Sequence, residues 1–93
     1  MKTVCIKAII TGKVQGVFYR DNARKKANKL NITGWVKNTK NGAVELIACG
    51  DEENIKQFIE WLWKGPLFAK VMDVHSEEIA VEKFDAFTVL KNN

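Results

Sequence analysis

The sequence predicts an α+β sandwich in which an antiparallel sheet carries two helices on one face, in the order βαββαβ with a short extra C-terminal strand. Three observations point to it. Apolar and polar residues alternate with a strand's period of two from Val4 to Thr11. Two later stretches, ending near Leu30 and Leu62, carry apolar residues at helical spacing. Between them, Asn41-Gly42 separates two strand-like runs as a hairpin turn would.

In the first strand Val4, Ile6, Ala8 and Ile10 form one face, and Cys5, Lys7, Ile9 and Thr11 the other. Gly12-Lys13-Val14-Gln15-Gly16-Val17-Phe18-Tyr19-Arg20 follows as a glycine-bracketed loop. Ala23, Ala27 and Leu30 then mark the buried stripe of a helix with a lysine-rich outer side, and Asn31 stands where it should stop. Gly34-Trp35-Val36-Lys37-Asn38 reads as the second strand and Ala43 to Cys49 as the third. Gly50 ends the hairpin, and Asp51-Glu52-Glu53 suit the N-terminus of a second helix with the stripe Ile55, Phe58, Ile59 and Leu62. That helix ends near Lys64-Gly65-Pro66; a less regular strand runs from Lys70 to about Ile79, and a short one lies around Phe87 to Leu90. This is the split βαβ, or ferredoxin-like, arrangement, with the first and second strands parallel and the third antiparallel between them.

Strand register can be read from the same pattern. Cys5 opposite Cys49 pairs Ile6 with Ala48, Ala8 with Leu46 and Ile10 with Val44 on one face, and a one-residue slip would turn these residues outward. The same register sets Gly12 opposite Gly42, and the hairpin brings Asn38 opposite Gly42 from the other side. The two cysteines face each other on the uncovered side of the sheet, within reach of a bridge. Cytosolic thiols are usually reduced, so the possible disulfide between Cys5 and Cys49 stays open at this point.

Composition narrows the function. A chain of 93 residues allows one domain, 1–93, and no apolar run is long enough to span a bilayer. Met1-Lys2-Thr3 leads straight into the first strand without an apolar leader, so a cytoplasmic monomer with no membrane partner is expected. The net charge of +4 favours anionic partners, although the lysines are spread as on a solvated surface. One histidine and two distant cysteines give no metal-ligand spacing. His75 reads as a surface residue, Trp61 and Trp63 as packing against loops, and Trp35 as partly covered on the open face by the C-terminal segment.

The chemistry gathers on the loop. A glycine-bracketed turn between a strand and a helix start can aim backbone N–H groups at an anion, helped by the positive end of the helix. Arg20 adds a guanidinium fork suited to phosphate oxygens. Asn38, brought alongside by the register, offers a neutral donor and acceptor able to hold a water molecule. Taken singly, Arg20 would be a solvated charge, Asn38 a turn residue, and Gly12 and Gly16 plain turn glycines. Gln15 and Lys13 read as exposed side chains. Neither a Ser–His or Cys–His pair nor a carboxylate pair is visible, so a reaction here would work by positioning and electrostatics.

Gly12 to Arg20 closely resembles the first signature of the acylphosphatase family, and Gly34 to Asn38, continuing through Gly42, Val44 and Gly50, resembles the second. Lys64-Gly65-Pro66, with Ala69 and Val71, is similar to that family's loop before the fourth strand. The resemblance implies hydrolysis of the carboxyl–phosphate bond of acyl phosphates without metal or cofactor. By it, Arg20 binds phosphate together with the N–H groups of Gln15, Gly16, Val17, Phe18, Tyr19 and Arg20. Asn38 orients the attacking water, and inorganic phosphate acts as product and competitive inhibitor. The sequence departs from the commonest family form at Asn41, which should keep the turn, at the adjacent Phe18 and Tyr19, which would narrow the pocket mouth, and at the bulky Phe68.

Two other readings compete. A nucleic-acid-binding module of the same topology would stack bases on aromatics of its two central strands. The outward residues there are Cys5, Lys7, Ile9, Thr11, Ala43, Glu45, Ile47 and Cys49, none of them aromatic. A non-catalytic anion-binding domain would keep the loop without turnover, yet both inferred catalytic residues, Arg20 and Asn38, are present.

Overall fold

Period-two alternation in the first strand is realised from Ile6 to Thr11 in the computed structural model, which describes residues 2–91. The elements are β1 (Thr3–Lys13), α1 (Tyr19–Lys29), β2 (Thr33–Asn38), β3 (Val44–Asp51), α2 (Glu52–Lys64), β4 (Lys70–Ile79) and β5 (Phe87–Val89). They form a five-stranded sheet in the order β4-β1-β3-β2-β5. Neighbours among the first four strands are antiparallel, as expected. The short β5 lies parallel to β2, so the complete sheet is mixed.

One face of the sheet supplies Ile6, Ala8, Ile10, Val36, Val44, Leu46 and Ala48 to a single core with Ala23 and Ala27 of α1 and Ile55, Phe58 and Leu62 of α2. Burying a large aliphatic or aromatic side chain is worth about 1.5–3 kcal/mol, so any slip that turned this face outward would be heavily penalised. Phe58 sits at the centre, edge-on to Phe87 at 5.9 Å and stacked on Trp61 at 6.3 Å. Trp61 thus joins the core margin, whereas Trp63 is turned outward and exposed, not packed against a loop as expected. Trp35 is half-buried on the open face, with the Lys37 ammonium 5.4 Å from its ring centre. His75 is exposed on β4, opposite Ile9.

The β1–β3 register runs from Thr3 opposite Asp51 through Cys5 opposite Cys49 to Ile10 opposite Val44, as the pattern required. Two details differ. Asn38 pairs with Val44, two residues along from Gly42. The cause is Thr39: its N–H donates to the Ala43 carbonyl at 2.9 Å, and its Oγ1 accepts from the Ala43 N–H at 3.1 Å. Residues 39–43 therefore form a wider turn than an Asn-Gly hairpin, with the Thr39 hydroxyl bonded to the Asn41 amide oxygen. An even shift preserves the inward and outward faces.

Gly12 likewise faces β4 in place of Gly42. It lies opposite Val71, and the register changes between Thr11 and Gly12. The backbones meet so closely that a Cβ on Gly12 would stand 2.2 Å from the Lys70 carbonyl oxygen, at a φ of 121° that favours glycine. A β-bulge of this kind redirects the strand as it enters the following loop.

Cys5 and Cys49 are joined by a disulfide across β1 and β3, spanning 44 positions of sequence. Cys5 is fully buried because the chain after β4 crosses over it, and the Glu82 N–H lies 3.3 Å from its sulfur. Protein purified without reductant and denatured should show no titratable thiol, and two after reduction. Closing a loop of this length restricts the unfolded chain by about 2–4 kcal/mol, so reduction should lower the urea midpoint. Two free thiols before reduction would exclude the bridge.

Candidate active site

Between β1 and α1 the chain turns in five residues, 14–18, and three side chains pin the turn to the core. Val14, Val17 and Tyr19 are buried. The Tyr19 hydroxyl donates to the Leu62 carbonyl at 2.6 Å, and its ring lies 5.5 Å from that of Trp61. Tyr19 therefore anchors the helix start with its side chain and does not narrow the pocket mouth, contrary to the sequence expectation. Its hydrogen bond suits the neutral phenol, and burial pushes the hydroxyl's pKa well above its ordinary value.

With those side chains turned inward, the backbone faces outward. Among the described residues, no loop or turn backbone hydrogen bond is donated by Gln15, Gly16, Val17, Phe18 or Tyr19. The helix also begins without a capping side chain: its N-cap is Phe18, in the left-handed region at φ 62° and ψ 25°. Serine, threonine or aspartate at that position would cover first-turn donors. Here they stay available at the positive end of an 11-residue helix. Asn22 steadies the start instead, its Nδ2 donating to the Phe18 carbonyl at 2.9 Å.

Gln15 ties this loop to the hairpin. Its Nε2 donates to the Thr39 carbonyl at 2.9 Å and to the Ala43 carbonyl at 2.8 Å, closing across the turn that follows Asn38. The side chain is thus half-buried and structural, not the exposed group expected. Asn38 stands at the end of β2 with its Oδ1 buried and without a hydrogen-bond partner, the one such side-chain atom among the described residues. An unpaired buried acceptor costs about 1–3 kcal/mol, so the fold holds this amide in place at a cost.

Arg20 projects from the first turn of α1, and its Nη1 donates to the Leu90 carbonyl at 3.0 Å. Leu90 is itself held to β2 by a bond from its N–H to the Val36 carbonyl at 2.8 Å. The segment after β5 therefore fixes the guanidinium near the end of β2. Gly16, Phe18, Tyr19, Arg20 and Asn38 line one cavity of about 410 Å³, together with Val14, Asp21, Arg24 and Val89. Arg20 and Asn38 do converge there, as the sequence suggested. Gln15 and Val17 border the loop but not the cavity wall.

Asp21 and Arg24 were not singled out from the sequence. An Asp21 carboxylate on the wall would repel an anion, but Arg24 donates to it at 2.9 Å and Lys25 lies 3.5 Å away. The hydrogen bond from Arg24, and then the charge of Lys25, keep its pKa below the ordinary carboxylate value. The i,i+3 and i,i+4 spacings could have revealed this network; the Arg20–Leu90 contact has no local signal.

Fold and site together define a small α+β protein with an anion-receptive loop beside an amide. Comparison with known proteins assigns the family. The acylphosphatase family model matches residues 6–89. A curated acylphosphatase from Coxiella burnetii (strain Dugway 5J108-111) is 54% identical over 85 residues, covering 91% of this chain and 90% of that one. A solved acylphosphatase structure from Coxiella burnetii superposes with a TM-score of 0.92 at 51% identity, covering 95% of this chain and 93% of the other. The Bacillus subtilis acylphosphatase structure gives 0.91 at 34% identity, covering 94% and 98%. The chain belongs to the acylphosphatase family.

Two measurements check the local geometry. Tyr19 is the sole tyrosine, so absorbance at 295 nm reports its ionisation alone. With the folded pKa raised, its stabilising contribution is complete below about pH 10 and is lost as pH climbs beyond the unfolded value. Phenolate should therefore appear only as the protein unfolds in alkali; titration near pH 10 in the native state would contradict the buried hydrogen bond. Replacing Gln15 by alanine removes both bonds to the hairpin turn and should cost about 1–3 kcal/mol in urea unfolding. An unchanged midpoint would show that the clamp is not formed.

Proposed function

We propose that the protein hydrolyses acyl phosphates to a carboxylate and inorganic phosphate, using one water and no metal or cofactor. The single observation that supports this best is the meeting, on one cavity, of Arg20, the Asn38 amide and a loop whose backbone N–H groups find no backbone acceptor among the described residues. In this reading, the phosphoryl oxygens rest on the N–H groups of Gln15 to Arg20 and on the Arg20 guanidinium. A water oriented by the side-chain amide of Asn38, which lines the cavity, attacks phosphorus opposite the acyl oxygen. The phosphorus–oxygen bond to the acyl group breaks, the carboxylate leaves with the electron pair, and the water's proton passes to a phosphate oxygen.

Positioning can suffice because phosphoryl transfer proceeds through a loose transition state that asks little of the nucleophile, and a carboxylate is a good leaving group. In this reading charge neutralisation falls to Arg20 and the loop donors. No helix among the described residues is long and apolar enough to cross a membrane. A monomer acting in the cytoplasm on a small-molecule substrate completes the proposal.

Benzoyl phosphate should be turned over at a rate that EDTA does not lower, with inorganic phosphate competing. Arg20→Ala should raise KM strongly through lost phosphate binding. Asn38→Ala should lower kcat by about 10²–10³-fold, the usual scale for one preorganised polar group, while KM stays close to wild type. Absence of hydrolysis by the folded wild type would sink the enzyme reading, and a KM effect in Asn38→Ala without a kcat effect would remove it from the chemical step.

A further inference from the structure

Phe18 is a side chain that the proposed chemistry leaves without a task. Its neighbours Val17 and Tyr19 are buried, yet its own ring is 75% exposed and contributes nothing to the core. It also holds a left-handed backbone, φ 62° and ψ 25°, which a bulky residue adopts only at a cost and which glycine or asparagine would adopt readily. Strained non-glycine residues gather where a ligand is handled. The left-handed turn is what aims the ring away from the core at the same point where the loop's backbone donors turn outward. Of the large exposed apolar residues, Leu67, Phe68 and Met72 lie off the cavity, whereas Phe18 lines it beside Arg20 and Asn38, along with the apolar Val14 and Val89.

We infer that the Phe18 ring determines specificity for the acyl end of the substrate, favouring aromatic and large apolar acyl phosphates over acetyl phosphate. The inference rests on the acyl-phosphate reading above. A substrate of this class has a charged end and an end that is often apolar. Once the phosphoryl group sits on the loop N–H groups, one of them Phe18's own, the acyl group lies at the same cavity, where Phe18 is the one large exposed apolar side chain among the described lining residues. An exposed ring at that lip offers an aryl group an offset or edge-on partner and removes apolar surface from water on both sides. A methyl group is too small to cover it.

The test compares kcat/KM for benzoyl phosphate and acetyl phosphate in wild type, Phe18→Gly, Phe18→Tyr and Phe68→Ala. Glycine accepts the left-handed backbone, so Phe18→Gly should fold, and its urea midpoint should rise as the strain is relieved. Its benzoyl-over-acetyl ratio should fall about tenfold, which corresponds to roughly 1.4 kcal/mol, chiefly through KM for benzoyl phosphate. Phe18→Tyr keeps the ring and should keep the ratio. Phe68→Ala removes an aromatic of similar exposure off the cavity, 68%, and should also keep it. A ratio unchanged in Phe18→Gly, including an equal loss on both substrates, overturns the inference, as does a ratio that falls as far in Phe68→Ala. Failure of the wild type on both substrates would instead remove the acyl-phosphate reading itself.

Discussion

Everything about this molecule that bears on chemistry depends on a short connection whose backbone donors are kept from finding partners inside the protein. A free chain would satisfy those N–H groups with its own carbonyls or with water. Here Val14, Val17 and Tyr19 are pulled into the core, the last fixed by its bond to Leu62 on the far helix. That burial decides which way the backbone faces. Hydrophobic burial of this size outweighs a few loop hydrogen bonds forgone at a surface, where solvent covers the difference. The orientation of the loop backbone is therefore built in by packing.

The second half of the site reaches the first through the sheet. Asn38 and the loop lie on strands that do not touch: β1 and β2 are separated by β3. Their relative position is set by two registers in series, with the disulfide joining the outer pair of cysteines at one end and the Gln15 clamp closing the other. Covalent and hydrogen-bonded ties at opposite ends of the same strands resist a slide in either direction. The proposed positioning mechanism needs this, since small displacements of a reacting group are costly in rate.

Alternation of Ile6, Ala8 and Ile10 against Val44, Leu46 and Ala48 made the β1–β3 register legible to the residue, because a half-buried sheet face tolerates no odd slip. The hairpin was legible only to its face. An Asn-Gly pair suggests a tight turn, but the Thr39 hydroxyl and the Ala43 backbone compete with it and widen the loop by two positions. Gln15, Tyr19 and Leu90 mark a different limit. Each acts through one long-range partner, and a single side chain's choice among distant carbonyls leaves no periodic trace. That Arg20 and Asn38 would meet at one cavity was legible from sequence, while the contacts that hold them in place were not.

Where local rules are broken also carries information. Helix α2 starts on acidic residues and ends on glycine with Lys64 in its last turn, as isolated helix energetics favour. Neither helix start carries a capping side-chain bond among the described residues, but α1 starts on a bulky residue in the left-handed region, Phe18, where α2 starts on Asp51 in an extended backbone. Among the described residues, strand β2 ends on a buried amide oxygen without a partner, and the turn before α1 leaves its backbone donors without loop or turn partners. These departures meet around one cavity. Departures from local rules gather where something other than the fold uses them. Their coincidence is an argument for function that stands apart from any family likeness, and it points to the same loop and the same asparagine.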